Sequence, residues 1–82
     1  MITILFFAQL REQLNCDKTD LGIDAPVSIS LLRETLVTKN PAWETFLAND
    51  KLLFSVNQVL VKAHHLVKDG DEVAFFPPVT GG

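Results

Sequence analysis

The first seven residues, MITILFF (residues 1–7), are rich in β-branched and aromatic side chains, which favour a β-strand. Successive side chains in a strand point to opposite faces, so Ile2, Ile4 and Phe6 would share one face. The other face of the same segment also carries apolar residues. A strand that is apolar on both faces is typical of the interior of a sheet, and the segment therefore predicts a central strand.

The next forty residues alternate between strand and helix patterns. Residues 8–14 place two leucines four positions apart, which predicts a short helix, and residues 18–23 predict a weak second strand. Ser28 is a candidate N-cap for a longer helix, because its hydroxyl can accept a hydrogen bond from a free helical N–H group. Asn40-Pro41 predicts the end of that helix, since the residue before a proline disfavours the α conformation.

The second half of the chain is richer in strands. The predicted segments are one or two helical turns at residues 43–47, strands at residues 52–56, 59–61 and 72–76, and turns at residues 57–58 and 69–71. The resulting order of strand, helix, strand, helix, short helix and three strands indicates an α+β domain of β-grasp type. We expect a mixed sheet of about five strands crossed by one main helix, with the first and last strands as parallel neighbours at its centre.

Length and composition narrow the class of protein. The chain of 82 residues is enough for one domain with one modest core, which favours a carrier or subunit over an enzyme with a deep cleft. The net charge is −3 and the basic residues are scattered, so a nucleic-acid surface is not expected. No apolar run approaches the ~20 residues that span a bilayer, and the N-terminus lacks the early positive charge of a signal peptide. A cytoplasmic protein without membrane association is expected.

Few side chains are candidates for chemistry of their own. Cys16 is a poor nucleophile candidate because the carboxylate of Asp17 beside it disfavours the thiolate. His64 and His65 would diverge in an extended segment and have no cysteine or carboxylate at ligand spacing, so no metal site is expected. The acidic residues at 69–72 could dock a basic partner, but a solvated turn is the commoner role of such a cluster.

The last six residues have a different character from the rest of the chain. They are Pro77, Pro78, Val79, Thr80, Gly81 and Gly82. Two prolines favour an extended exit from the predicted body of residues 1–76, and a tail of residues 77–82 would reach up to ~20 Å. Glycines would keep its end slim enough for a narrow channel. A terminal carboxylate is ionised and reacts as an electrophile only after activation, for instance as an acyl-adenylate that a sulfur nucleophile converts to a thiocarboxylate. The alternative is simple fraying of the terminus.

Three segments of the chain resemble the small subunits of molybdopterin synthase, which are ubiquitin-like β-grasp sulfur carriers. These segments are LFFAQLRE (residues 5–12), VNQVLV (residues 56–61) and DGDEVAFFPPVTGG (residues 69–82). The resemblance covers nearly the whole chain, and residues 18–49 are its least distinctive part. The C-terminal segment is the most specific of the three.

The resemblance implies a role in molybdenum cofactor biosynthesis. A ubiquitin-activating-like adenylyltransferase would adenylate Gly82 with ATP, and a sulfurtransferase system would convert it to a thiocarboxylate. The tail would then enter the large subunit of molybdopterin synthase and donate sulfur to cyclic pyranopterin monophosphate, within a heterotetramer of two copies of each subunit. The large subunit would supply catalysis, so this chain would hold no tightly bound cofactor and no metal. Leu60 and Phe76 match apolar positions with which the family contacts its partners.

Three function hypotheses remain at this stage, of which the molybdopterin carrier is the first and a related sulfur carrier the second. Related sulfur carriers that serve thiamine-thiazole synthesis or tRNA thiolation share the Gly-Gly end, although residues 75–80 favour the molybdopterin carrier. A ubiquitin-like binding module or protein modifier is the third, and a modifier would be joined through Gly82 to lysines.

Phe75 and Phe76 must point to opposite sides of their strand, and Phe76 is expected to face outward.

Overall fold

Eleven short elements make up the part of the chain that the computed structural model describes, residues 1–78. In chain order they are β1 (Ile2–Phe6), α1 (Ala8–Leu14), β2 (Lys18–Leu21), β3 (Val27–Ser28), α2 (Ile29–Lys39), a 3₁₀ turn (Pro41–Trp43), α3 (Glu44–Leu47), β4 (Leu53–Val56), β5 (Val59–Val61), β6 (Leu66–Val67) and β7 (Glu72–Phe76). The predicted α+β class is confirmed, and each predicted helix and strand is present, together with two strands, β3 and β6, that were not predicted.

The main sheet has the strand order β2-β1-β7-β4-β5. Strands β1 and β7 run parallel, with Ile4 beside Val73 and Phe6 beside Phe75, and the other pairs of this sheet are antiparallel. The first and last strands are therefore central neighbours, as their apolar composition predicts. This arrangement places the C-terminal end of β7 in the middle of the sheet.

Local signals in the sequence set the helix ends. Ser28 accepts a hydrogen bond through its Oγ from the Leu31 amide at 3.1 Å, so it is the N-cap of α2. The same helix ends before Pro41. Helix α1 ends where Asn15 adopts the left-handed conformation, with φ 53° and ψ 42°. The predicted capping and the predicted end of the main helix are confirmed.

The core lies between the main sheet and helix α2. From this helix Ile29, Leu32 and Leu36 are buried. Phe75 is fully buried in the central strand, and its ring lies 5.8 Å from that of Phe6 and 5.5 Å from that of Phe54, measured between centroids. Such tilted and edge-to-face contacts are favourable for aromatic rings. The central strand is thus anchored by its penultimate residue.

A second, two-stranded sheet was not predicted. Strands β3 and β6 pair antiparallel, with Val27 beside Val67 and Ser28 beside Leu66. Two residues are too few to show an alternating pattern, so only the tertiary pairing reveals these strands. The pairing ties the start of α2 to the segment before β7, and Val67 is completely buried there.

Candidate functional site

The main sheet has an apolar face on the side opposite the core. We call this surface the outer face and define it by Leu5, Phe7, Leu53, Leu60 and Phe76. The exposed fraction is 66% for Leu60, 45% for Phe7 and 36% for Leu53, while Leu5 and Phe76 are half-buried. Exposed apolar side chains gathered on one face are typical of a surface that binds another protein.

Strand register explains how these side chains come together. One row of paired residues crosses the sheet through Ser55 of β4. Ser55 pairs with Leu60 of β5 on one side and with Ala74 of β7 on the other, and Ala74 pairs in turn with Leu5 of β1. Residues directly opposite each other in neighbouring strands point to the same face. Leu60, which is exposed, and Leu5, which is half-buried, therefore lie in a single row, which continues from Leu5 to Lys18 of β2.

A second row lies next to the end of β7. Leu53 pairs directly with Phe76, and the neighbouring pair of Phe54 and Phe75 points into the core. The structure thus places Phe76 outward and Phe75 inward. Leu60 and Phe76, the two predicted contact residues, lie on the same face in adjacent rows. Their role in partner binding stays a prediction.

Phe7 extends the second row, and the sequence reasoning did not single it out. Its backbone is extended (φ −115°, ψ 160°) and its amide donates a hydrogen bond to the Phe75 carbonyl at 3.1 Å. The parallel pairing of β1 and β7 therefore continues to Phe7, which lies beside Phe76. Leu53 was missed as well. Strand alternation is the signal that could have found both residues, since each lies one position from a core aromatic residue.

The predicted tail begins where β7 ends. Pro77 and Pro78 follow Phe76 directly and are half-buried. Neither proline has an amide hydrogen, so neither can donate a further hydrogen bond to the ladder. Val79, Thr80, Gly81 and Gly82 lie outside the described residues, and the division into a body of residues 1–76 and a tail of residues 77–82 stays a prediction.

Polar contacts cluster at the opposite end of β7. Asp71 is 6% exposed, and its carboxylate accepts hydrogen bonds from the Lys68 amide at 2.9 Å and from Asn57 Nδ2 at 3.0 Å. The pKa of Asp71 is lowered, mainly by the hydrogen bond from the Lys68 amide. Burial of the carboxylate acts in the opposite direction, and the hydrogen bond from the Asn57 side chain lowers the pKa further. The expected solvated turn is therefore wrong for Asp71, because its carboxylate satisfies amides inside the fold. It holds for Asp69, which is exposed and pairs with the N-terminal ammonium group of Met1.

The other candidate side chains are not brought together. Cys16 is half-buried, with its Sγ 3.4 Å from the Lys18 carbonyl oxygen, and both His64 and His65 are exposed. Within residues 1–78 no three or more His, Cys, Asp or Glu side chains are grouped so that they could hold a metal ion. The helices in this range are also too short or too polar to cross a bilayer.

Comparison with known proteins agrees with the fold and with the resemblance in the sequence. The family model for the ThiS family matches residues 4–82. The chain belongs to the ThiS family. It is 49% identical over 82 residues to the molybdopterin synthase sulfur carrier subunit of Escherichia coli (strain K12), and the alignment covers all of both chains. The carrier subunit of the same name from Haemophilus influenzae is 45% identical, again over all of both chains.

A solved structure shows the same architecture as this ThiS-family chain. SAMP1 from Haloferax volcanii matches with a TM-score of 0.82 and 25% identity, over 99% of this chain and 98% of that chain. The predicted ubiquitin-like β-grasp fold is confirmed by this match and by the order of the strands.

Proposed function

We propose that this chain is the sulfur carrier subunit of a molybdopterin synthase and acts in molybdenum cofactor biosynthesis. The observation that carries the proposal is the 49% identity to the Escherichia coli carrier subunit over the full length of both chains. The apolar outer face includes Phe76, the last residue of β7 before the predicted tail, and we call this position the root of the tail. This arrangement suits a subunit that presents its C-terminal end to a partner. The proposed site is therefore one carboxylate and one docking surface.

The outer face is the proposed docking surface for the large subunit of molybdopterin synthase. Leu53 and Phe76 pair directly beside the root of the tail, and Leu60 stands further along the same face. Burying exposed apolar side chains against a partner is favourable by about 25 cal/mol per Å². Docking next to the root would hold the tail in a defined direction, so that its end reaches the catalytic residues of the large subunit.

The proposed chemistry takes place on Gly82. Its carboxylate is ionised at neutral pH and must be activated. A ubiquitin-activating-like adenylyltransferase would form the acyl-adenylate with ATP, releasing pyrophosphate. The persulfide of a sulfurtransferase system would then attack the adenylate and displace AMP, and a thiol would reduce the resulting acyl disulfide to a thiocarboxylate, becoming part of a disulfide itself. Inside the large subunit this group would donate its sulfur to cyclic pyranopterin monophosphate, and hydrolysis by water would return the carboxylate.

The assembly and setting follow from the same proposal. Two copies of this chain and two large subunits would form a heterotetramer in the cytoplasm, with the large subunit as the catalytic partner. The carrier would hold no metal and no tightly bound cofactor, and ATP would be consumed by the activating enzyme. This division of labour is in keeping with a chain of 82 residues, which can form one modest core but has little room for a deep active-site cleft as well.

The proposal is tested by intact-mass analysis of the full chain. The chain is incubated with the adenylyltransferase of its own organism, ATP and a sulfur source, and its C-terminal peptide is sequenced by mass spectrometry. We expect a gain equal to one oxygen-to-sulfur exchange at Gly82. A reaction without ATP is the control. An unchanged mass in the complete reaction would count against the carrier function.

The match to SAMP1, named in a second solved structure as small archaeal modifier protein 1, favours a second candidate function. A modifier would form isopeptide bonds between Gly82 and lysines of other proteins. The same incubation distinguishes the two, because a modifier would give products of higher mass that survive denaturation and reduction. A thiocarboxylate without such products would support the carrier alone.

A further inference from the structure

The hairpin that carries Leu60 turns through an unusual pair of residues. Asn57 and Gln58 both have left-handed backbones, with φ of 51° and 71°, as a two-residue turn between antiparallel strands requires. Glycine is the preferred second residue of such a turn, because a side chain there costs conformational energy. Gln58 lacks this advantage, so contacts from elsewhere in the fold must stabilise the turn.

Asn57 supplies those contacts. Its backbone amide donates to the Glu72 carbonyl at 2.7 Å, its Nδ2 donates to Asp71 Oδ1 at 3.0 Å, and its Oδ1 accepts from the Glu72 amide at 3.0 Å. We call this set of three hydrogen bonds the Asn57–Asp71 clasp. Asp71 is held in turn by the Lys68 amide and is buried, so the clasp joins the turn to the start of the central strand.

Strand β5 is the shortest strand of the main sheet. It has three residues, Val59–Val61, lies at the edge, and pairs with β4 alone. Leu60 is 66% exposed and therefore has few contacts of its own that could fix its position. Short edge strands open locally more easily than central strands.

We propose that Asn57 and Asp71 are positioning residues, whose clasp fixes the edge hairpin so that Leu60 stands on the outer face in the orientation that docks the large subunit. The part of the proposal that concerns the partner rests on the proposed function. The clasp lies at the start of β7, whereas the tail leaves from its end. Sulfur transfer at saturating large subunit should therefore be unaffected by its loss.

The first test uses the free chain and needs no partner. Asn57→Gly removes the clasp's side-chain bonds but keeps a residue that accepts a left-handed backbone. Amide hydrogen exchange at Val59 and Val61, whose amides face β4 in this register, should become about tenfold faster, while exchange at Ile4 in the central strand changes far less. Gln58→Gly is the control, because it relaxes the turn and leaves the clasp intact, and it should not speed exchange. Equal acceleration throughout the sheet, or none in β5, would overturn the proposal.

The second test is a double-mutant cycle read out as affinity for the large subunit of the same organism. Asn57→Gly should weaken binding by about fivefold to tenfold in the wild-type background, but by less than about twofold when Leu60 is already alanine. The maximal rate of sulfur transfer should stay the same. Asp71→Asn keeps an acceptor for the Lys68 amide and should weaken binding less than Asn57→Gly.

The outcomes separate the clasp from the proposed function. Additive losses in the cycle would show that Asn57 acts by a route other than Leu60, and would overturn the positioning role. If the wild-type chain does not bind the large subunit, or if Leu60→Ala binds as well as wild type, the proposed docking surface fails and the partner half of the inference fails with it. The exchange experiment then still decides whether the clasp holds the hairpin.

Discussion

Leu53 on β4 and Phe76 on β7 lie directly opposite each other on the outer face, while their neighbours Phe54 and Phe75 form the equivalent pair inside the core. Two consecutive aromatic residues of the central strand thus have opposite environments. Phe75 is completely buried, and Phe76 is half-buried at the root of the tail. Within one strand, Phe75 is therefore expected to contribute to stability and Phe76 to partner binding.

Alanine substitutions of the two phenylalanines should therefore have different effects. Phe75→Ala removes a buried ring and should cost about 3–5 kcal/mol of unfolding free energy. Phe76→Ala leaves the core intact and should cost no more than about 1 kcal/mol, while weakening binding to the large subunit at least about tenfold. Chemical denaturation and calorimetric titration measure the two quantities. Equal stability losses in the two variants would contradict the structural assignment, and undiminished binding by Phe76→Ala would contradict the docking role.

Shortening or blocking the tail should abolish sulfur transfer without affecting the fold. Deletion of Gly82 moves the terminal carboxylate to Gly81, one residue short of the proposed reactive position, and Gly81→Trp adds a bulky side chain that a narrow channel would exclude. Both variants should keep the melting temperature of the wild type within about 2 °C, because the tail is predicted to lie outside the core. Calorimetry gives the melting temperature, and the mass of the C-terminal peptide reports sulfur loading. A large drop in melting temperature would show that the tail is structural, and full activity without Gly82 would refute its role.

The two glycines of the described chain offer a matched comparison of backbone strain. Gly70 has φ +92°, in the region that side chains rarely adopt, whereas Gly22 does not have a positive φ, and an added Cβ would meet no atom within 4 Å at either site. Gly70→Ala should destabilise the chain by about 1–2 kcal/mol through strain alone. Gly22→Ala should be neutral or stabilising by up to about 1 kcal/mol, because it restricts the unfolded chain. Urea denaturation of both variants checks the contrast, and equal effects would refute it.

Much of the fold follows from local signals in the sequence. The alternation in β1, the Ser28 cap and the break at Pro41 each act over a few residues, so they can be read without knowledge of the partners in space. The pairing of β3 with β6 could not be predicted, because two-residue strands carry no period and are defined by each other.

The same limit applies to the candidate site. The tail is visible in the sequence because its prolines and glycines are locally distinctive. Strand alternation places Phe7 and Leu53 opposite the core, but their grouping with Phe76 was missed because it depends on register between strands that are far apart in the chain. Asp71 looked like part of a solvated turn for a similar reason, since its partner Asn57 is fourteen positions away.

Asp71 should make the stability of the chain depend on pH in a predictable direction. Its pKa is lowered in the fold, mainly by the hydrogen bond from the Lys68 amide, so the folded state binds this proton less readily than the unfolded state does. The carboxylate therefore contributes stability above its unfolded pKa of about 3.9, and this contribution is lost as the pH falls through the lower folded value. Asp71→Asn should consequently be less stable than wild type at pH 7, and the difference should shrink as the pH is lowered below about 4. Urea denaturation at a series of pH values measures this difference in the free energy of unfolding.

Asp24→Asn, a change of the same charge at an exposed site, is the control and should alter stability by less than about 0.5 kcal/mol at pH 7. A difference between wild type and Asp71→Asn that grows on acidification would show that the buried carboxylate destabilises the fold, and would contradict its place in the clasp.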